Sequence, residues 1–391
     1  MSKELEKIFK CSFCLSNNME KVIDFGEMAL AGAFLKIKKF NNEKKYPMRV
    51  FFCKDCFSVQ IVDIVDPKVL FHDYFYFSSS IKTLSNHFIN YAKEVTKRFL
   101  KISNAKVLEF GCNDGVLLRP LADLGINTVI GVDPAKNVVS NINDERITII
   151  NNFFTEEVAK NIRTKFGPID LIMANNVFAH ISDIINTTEA VKYALADEGV
   201  FVFEVHYLGK VIEEMQYDMI YHEHLYYYSL LSAIEHFKKH NMVIFDIKHV
   251  PIHAGSIRFY VAKRGSKRAK FISEKVKKLE KEEKLKGYNT FEVFQEFSKK
   301  VENTKKNLIN LLNKIKNDGK TIAGYGASGR ANTVIQFCGI TDDIISYMID
   351  DAPAKVGCYT PGSHLKILPS SVLKNDNAPD YVLIFAWSFF E

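Results

Sequence analysis

Two CxxC pairs, Cys11/Cys14 and Cys53/Cys56, stand at the head of a chain whose remainder alternates strand-like and helix-like segments. Each pair aims two thiolates at one point, and four thiolates complete a tetrahedral zinc site with no position left for water. In so small a segment a site of this kind supplies on the order of 10 kcal/mol of folding free energy. Two redox dithiols would want a thioredoxin-like βαβ setting, which this stretch lacks. The other three cysteines, Cys112, Cys338 and Cys358, are scattered, and in a reducing compartment that distribution favours metal over disulfides. We therefore expect a structural zinc on Cys11, Cys14, Cys53 and Cys56, in a domain of residues 1–70 with short strands near 22–25, 49–53 and 58–62.

A chain of 391 residues exceeds one ordinary core, so two or three domains are expected. With 47% hydrophobic and 25% charged residues it has the composition of a soluble globular enzyme. No apolar run reaches the roughly eighteen residues of a membrane span. The opening MSKELEKIFK lacks the apolar core of a signal peptide, which argues for a cytoplasmic protein. Lysines and glutamates alternate over 263–286 and account for much of the net charge of +6; we expect a solvated helical face there. A nucleic-acid footprint would be more basic and more clustered, so no nucleic-acid partner is expected.

After a helix over 81–100, strands are expected at 106–110, 128–132, 147–151, 169–175 and 199–204, with helices at 116–124 and 187–196. That alternation predicts an α/β domain over 71–262 built on a parallel sheet. Apolar spacing at Phe291, Phe294, Phe297, Val301, Leu308, Leu311 and Leu312 predicts a long amphipathic helix or helix pair. A second α/β unit follows, with strands at 321–325, 344–350 and 381–386, making 263–391 a C-terminal Rossmann-like domain. The chain stops just past its last strand with no helix to cover it, so a cut C-terminus is expected.

The first strand of the central domain runs into Glu109-Phe110-Gly111-Cys112-Asn113-Asp114-Gly115 and then a helix. Gly111 permits the tight turn and Gly115 a close approach of strand and helix. Asn113 occupies the place where a dinucleotide fingerprint wants a further glycine, and Glu109 would repel a pyrophosphate. Asp133, at the end of the next strand, can hold ribose hydroxyls. S-adenosylmethionine, with its cationic amino-acid end, suits these residues better than NAD, although an ordinary βα turn would share the pattern. Asn175-Asn176-Val177-Phe178-Ala179-His180 lies at the end of another strand, the edge where open α/β sheets bind ligands.

Tyr221-His222-Glu223-His224 begins a run with two histidines and four tyrosines in nine residues, which suits neither an exposed helix nor a core. Histidine is the natural general base near neutral pH, and tyrosine can hydrogen-bond a developing enolate oxygen. Metal binding by His222 and His224 is the weaker alternative. Further on, Gly324-Tyr325-Gly326-Ala327-Ser328-Gly329-Arg330 again joins a strand to a helix, with Arg330 available for a phosphate and Asp350-Asp351 for sugar or ribose hydroxyls. Alone this loop would suit an NAD-dependent oxidoreductase.

Taken in order, the motifs resemble the S-adenosylmethionine-dependent sugar C-methyltransferases that act on nucleotide-linked keto sugars. They are the four-cysteine knuckle, YxYxSS (Tyr74-Phe75-Tyr76-Phe77-Ser78-Ser79), ExGxNDG, NxxAHI, YHEH, GSxR (255–258), GYGASG and DDxPxKxG. The resemblance spans Cys11 to Trp387. It implies a zinc-binding domain, a methyltransferase domain and a C-terminal domain for the sugar nucleotide, of dTDP or GDP type, in a monomer or weak homodimer. It implies catalytic roles for His224, Tyr221, His180, Glu223 and Tyr76. Cofactor contacts would come from Glu109, Gly111, Asn113, Asp114, Gly115, Asp133, Asn175 and Asn176. Substrate contacts would come from Tyr74, Ser78, Ser79, His222 and Arg258, with Tyr325, Gly326, Ala327, Ser328, Arg330, Asp350 and Asp351 in the last domain. Ala254 departs from the family, standing where many relatives have glycine. An O-methyltransferase, which needs no ketone, is the other alternative.

Overall fold

The computed structural model describes residues 4–71, 78–80, 82–374, 376 and 378–387. Tyr74 and Tyr76 lie outside them. The chain opens with β1 (Leu5–Lys7), β2 (Met19–Ala29), β3 (Lys45–Cys53), β4 (Val59–Ile61) and β5 (Asp63–Val65). After α1 (Pro67–Phe71) and α2 (Lys82–Phe99) come β6 (Lys106–Phe110), α3 (Leu118–Asp123), β7 (Thr128–Val132), α4 (Lys136–Val139) and β8 (Ile147–Ile150). Then follow α5 (Glu156–Phe166), β9 (Ile169–Asn175), α6 (Ile184–Ala194), β10 (Leu195–His206), α7 (Leu208–Glu213), β11 (Tyr226–Tyr227), α8 (Leu230–Lys239), β12 (Met242–Val250) and β13 (Ser256–Lys263). The last part holds α9 (Glu274–Leu285), α10 (Glu292–Asn317), β14 (Ile322–Tyr325), α11 (Gly329–Cys338), β15 (Met348–Ile349), β16 (Ile367–Leu368) and β17 (Tyr381–Ile384).

A seven-stranded sheet in the order β12-β13-β10-β9-β6-β7-β8 forms the centre. From β10 to β8 all neighbours are parallel, as expected for strands that read as continuous apolar runs. The antiparallel pair β12 and β13 at one edge was not anticipated. Its apolar stretches are separated by a turn at His253, Ala254 and Gly255, all at positive φ. Strand order reverses between β6 and β9, so their carboxyl ends open a crevice, the usual ligand site of such sheets. Glu109 and Asn175 stand on its two walls.

Strands β2, β3 and β4 form a second sheet, β11-β4-β3-β2, whose first member comes from the central region, while β1 and β5 pair apart as a two-stranded antiparallel ribbon. Tyr226 pairs with Gln60 and Tyr227 with Val59, directly after the YHEH segment. The zinc-knuckle sheet therefore does not end at residue 70. A third, parallel sheet runs β16-β15-β14-β17. Helix α11 starts on Ser328, whose hydroxyl accepts from Ala331 N, and ends at Gly339 in the left-handed region.

The lysine-rich stretch is largely exposed along α9, but Glu283 is fully buried. Its carboxylate accepts from Leu230 N, Leu231 N and the Tyr207 hydroxyl at 2.8–2.9 Å, capping the start of α8. Helix α10 buries Phe294, Phe297, Val301 and Leu312, whereas Leu311 is 55% exposed and turns away from the core. Phe294 stacks on Phe52 at 4.6 Å, tying this helix to the knuckle sheet. Phe294→Ala should cost about 3–5 kcal/mol by leaving a cavity at that junction, read by denaturant unfolding. A loss under about 1 kcal/mol would show the junction to be loosely packed.

Candidate active site

Each CxxC turn closes in the same way. Leu15 N donates to Cys11 O at 2.7 Å and Phe57 N to Cys53 O at 2.8 Å, with Leu15 and Phe57 held at φ near +64° and +63°. The turns bring all four sulfurs within 4.8 Å of one another, with Cys11–Cys56 at 3.4 Å and Cys14–Cys53 at 3.6 Å. Those spacings approach the ~3.8 Å edge of a tetrahedron with Zn–S bonds of about 2.3 Å, so the donor set fits zinc. No two of the cysteines are disulfide-bonded. Among the described residues this is the one such metal-ligand cluster. His222 and His224 form no second one, because His222 is 2% exposed and its Nε2 lies 3.2 Å from the carbonyls of Tyr46 and Pro47. His222, expected at the substrate, instead fastens the YHEH segment to β3.

The crevice between β6 and β9 carries the loop at 111–115. Gly111 sits at φ +67°, and a Cβ there would come within 2.6 Å of Val177. Asp133 accepts from Asn113 N and Ala135 N, both at 2.9 Å, and so holds the loop in shape. Asn176 adopts φ 54° with its N–H on Glu204 O. Asn175 Nδ2 donates to Glu109 Oε1 at 2.9 Å. Among the described residues, Glu109 Oε2, Asp114 Oδ1 and Asn175 Oδ1 are buried without a hydrogen-bond partner. Burial pushes the Glu109 carboxyl up to about 8. Orphaned acceptors at this density call for a cationic ligand, and the ammonium group of an amino acid suits them. Ser78 and Ser79, expected on the substrate, are committed here: Ser78 N donates to Asn113 Oδ1 at 3.0 Å, and the Ser79 hydroxyl to Asp114.

Beside the crevice, YHEH meets the turn after β9. His224 and His180 approach at 5.0 Å with rings nearly perpendicular, and Tyr221 covers His224 at 4.0 Å. Each is half-buried. His224 Nδ1 lies 2.8 Å from Met219 O. A carbonyl only accepts, so Nδ1 carries the proton and a neutral ring presents an unprotonated Nε2. Burial, with His180 beside it, holds the His224 imidazole well below its ordinary value. Burial brings His180 down to about 4 and raises Glu223 to about 7. The Glu223 carboxylate faces Gly32, where a Cβ would stand 3.2 Å from Oε1. His206 and His253 also act on His224 electrostatically, and sequence reasoning passed over both.

Arg258 is corrected as well. It is 1% exposed, paired to Glu204 at 2.8 Å and stacked 3.3 Å over Tyr91, with His87 Nε2 on the other Glu204 oxygen at 2.9 Å. This buried network locks α2 against β10 and β13 and commits the Arg258 guanidinium to Glu204, Glu94 and Tyr91. Arg330 is not available as expected either: its guanidinium pairs with Asp218 at 2.8 Å and lies over Trp387 at 4.7 Å. Trp387 Nε1 donates to the same carboxylate, and these groups border a cavity of about 190 Å³. Gly326 adopts φ +92° and its Cβ position is closed by Ala386 at 2.7 Å. Asp350 accepts from Ala352 N and Lys355 Nζ, and Lys355 also reaches Ala327 O at 2.7 Å, tying Ala327 to the end of β15. Asp351 is exposed and accepts from Ser370 N. Asp218 had no sequence signal beyond its charge, whereas Lys355 is the lysine of the DDxPxKxG motif.

Gly111→Ala should weaken binding of S-adenosylhomocysteine by at least roughly tenfold, since the added methyl must displace Val177 in a left-handed turn. Unchanged titration calorimetry would move the cofactor away from this loop.

Residues 11–71 match a zinc binding domain, 85–245 a methyltransferase domain and 251–391 a C-methyltransferase C-terminal domain. The C-methyltransferase NovU of Streptomyces niveus is 30% identical over 390 residues, covering 100% of this chain and 92% of NovU. Two solved structures align at low similarity. Magnesium protoporphyrin IX methyltransferase (ChlM) from Synechocystis PCC 6803 with bound SAH is 13% identical, over 46% of this chain and 83% of its own, TM-score 0.36. The CcbJ methyltransferase from Streptomyces caelestis is 12% identical, over 45% and 89%, TM-score 0.36. No described helix is long and apolar enough to cross a membrane. On the full-length match the chain belongs to the C-methyltransferase family, S-adenosylmethionine-dependent enzymes with a zinc-binding N-terminal domain.

Proposed function

We propose that this enzyme methylates a carbon next to the keto group of a nucleotide-linked sugar, a step of carbohydrate biosynthesis. The observation that carries the reading is the His224 hydrogen bond to Met219 O, which leaves Nε2 as a lone-pair acceptor beside His180 and Tyr221. Carbon becomes nucleophilic when a neighbouring carbonyl makes its C–H removable, and an unprotonated imidazole is the group for that removal. His224 takes the proton. Tyr221 and His180, with Tyr76, donate hydrogen bonds to the enolate oxygen, each worth about 3 kcal/mol in a dry site. Glu223 orients a sugar hydroxyl or a histidine. S-adenosylmethionine, when bound, would supply the methyl group and leave as S-adenosylhomocysteine. Glu109, Asp114 and Asn175 hold its amino-acid end, and Asp133 its ribose. The loop at 325–330 with Asp350 and Asp351 receives the nucleotide, where a phosphate would compete with Asp218 for Arg330. Holding both substrates in register contributes the rest of the rate.

His224→Ala should bind both substrates while turnover falls roughly 10²–10⁴-fold, the range for a lost general base. With substrate and S-adenosylhomocysteine in heavy water, wild type should exchange the α-proton for deuterium and the variant should not. Equal exchange in both would move the base to His180 or Tyr221.

The pH dependence carries a definite sign. Because burial keeps His224 neutral, turnover should not fall at the ordinary histidine value of 6.5. Stability behaves differently: the unfolded chain takes up a proton near 6.5, whereas folded His180 resists to about 4. Stabilisation present above 6.5 is therefore lost as pH falls from 6.5 toward about 4. A turnover midpoint near 6.5 in protein that is still folded would contradict a neutral buried base.

A further inference from the structure

The loop between the first two zinc ligands reaches into the active-site wall. Phe13, between Cys11 and Cys14, is 2% exposed and lies 5.0 Å from Tyr226, 5.5 Å from Tyr228 and 4.7 Å from His236. The backbone around it is fixed too: Ser12 N donates to Gln60 Oε1 at 3.0 Å, and Gln60 stands opposite Tyr226 across β4 and β11. Ile61 N donates to Leu225 O at 2.9 Å.

The same short stretch is stitched on its other side to the His180 turn. Leu225 N donates to Ala179 O at 2.8 Å, and the Tyr228 hydroxyl to Phe178 O at 3.2 Å. His224 and His180 thus owe their 5.0 Å spacing to a strand gripped between the zinc-knuckle sheet and the end of β9. We propose that the zinc knuckle is a positioning clamp for the catalytic histidines, with Phe13 as its positioning residue. The inference rests on the reading above that His224 and His180 act in the reaction.

Metal binding would hold the knuckle in this shape. Both CxxC turns need a bulky residue in the left-handed region, where a Cβ crowds the backbone. Four thiols within 4.8 Å of one another gain little without a cation to share. The metal bond offsets both. When it is removed, Phe13 is free to withdraw, and the strand carrying YHEH loses one of its two supports. The cofactor crevice between β6 and β9 is built from other strands and keeps its own packing. A shift of about 1 Å at reacting groups can lower turnover on the order of 100-fold.

The test is hydrogen–deuterium exchange by mass spectrometry on the full chain, with zinc and after chelation. Exchange should rise in peptides covering 219–228 and stay unchanged in those covering 106–110 and 169–175, with affinity for S-adenosylhomocysteine retained. Zinc-loaded Phe13→Ala should keep its metal and that affinity, raise exchange at 219–228, and lower kcat on the keto-sugar nucleotide roughly tenfold or more without raising KM for the donor. Phe13→Leu should restore most of it. Equal loss of protection across both regions would make the zinc a general stabiliser and overturn the clamp. So would a zinc-loaded Phe13→Ala with wild-type exchange at 219–228. If His224→Ala turns over like wild type while the exchange pattern holds, the base assignment fails and the clamp stands.

Discussion

The pairing of β11 with β4 is the constraint on which the candidate active site depends. Two residues, Tyr226 and Tyr227, join a strand of the central region to the knuckle sheet. The preceding segment closes a turn, with His224 N on Tyr221 O at 2.9 Å, so side chains two residues apart are not held to one face as they would be in an extended strand. His222 falls on the side of β3 and is used up on backbone carbonyls, while His224 falls toward His180. Two histidines two residues apart therefore end in opposite roles. The Met219 carbonyl then selects the tautomer, so one backbone hydrogen bond determines which nitrogen can accept a proton.

Burial shapes both halves of the site, with opposite results. At the cofactor loop it leaves carboxylates short of partners, which makes the crevice an acceptor for positive charge. At the histidines it removes charge and leaves neutral rings able to accept or relay a proton. A cationic donor and a proton-accepting cluster side by side are what carbon methylation requires. The rival reading of an NAD-dependent oxidoreductase rested on the loop at 324–330 alone, and the full-length similarity to a C-methyltransferase outweighs it.

Much of the architecture was legible in the sequence because its signals are local. Buried parallel strands such as Ile169–Asn175 are short apolar runs between turn residues, and a CxxC pair carries its own geometry. The roles that were misread depend on partners far along the chain. Arg258 looked like a ligand arginine, and only folding brings it to Glu204 and Tyr91. Ser78 and Ser79 looked like sugar contacts until Asn113 and Asp114 came within reach. Glu283 sat in a run of charge that is otherwise solvated, and its burial follows from the open N-terminus of α8 nearby. Local pattern predicts which residue types line an element; it does not predict which of two similar side chains finds a distant partner.

The central claim is that the methyl group is delivered to carbon beside a carbonyl. It is tested most directly by incubating the enzyme with a keto-sugar nucleotide and S-adenosylmethionine carrying a carbon-13 methyl, then recording the product's NMR spectrum. The account predicts a labelled methyl bonded to a ring carbon adjacent to the carbonyl, with the proton of that carbon gone from the site of attack. A labelled methyl bonded to oxygen, or transfer to a sugar nucleotide that has no keto group, would contradict it.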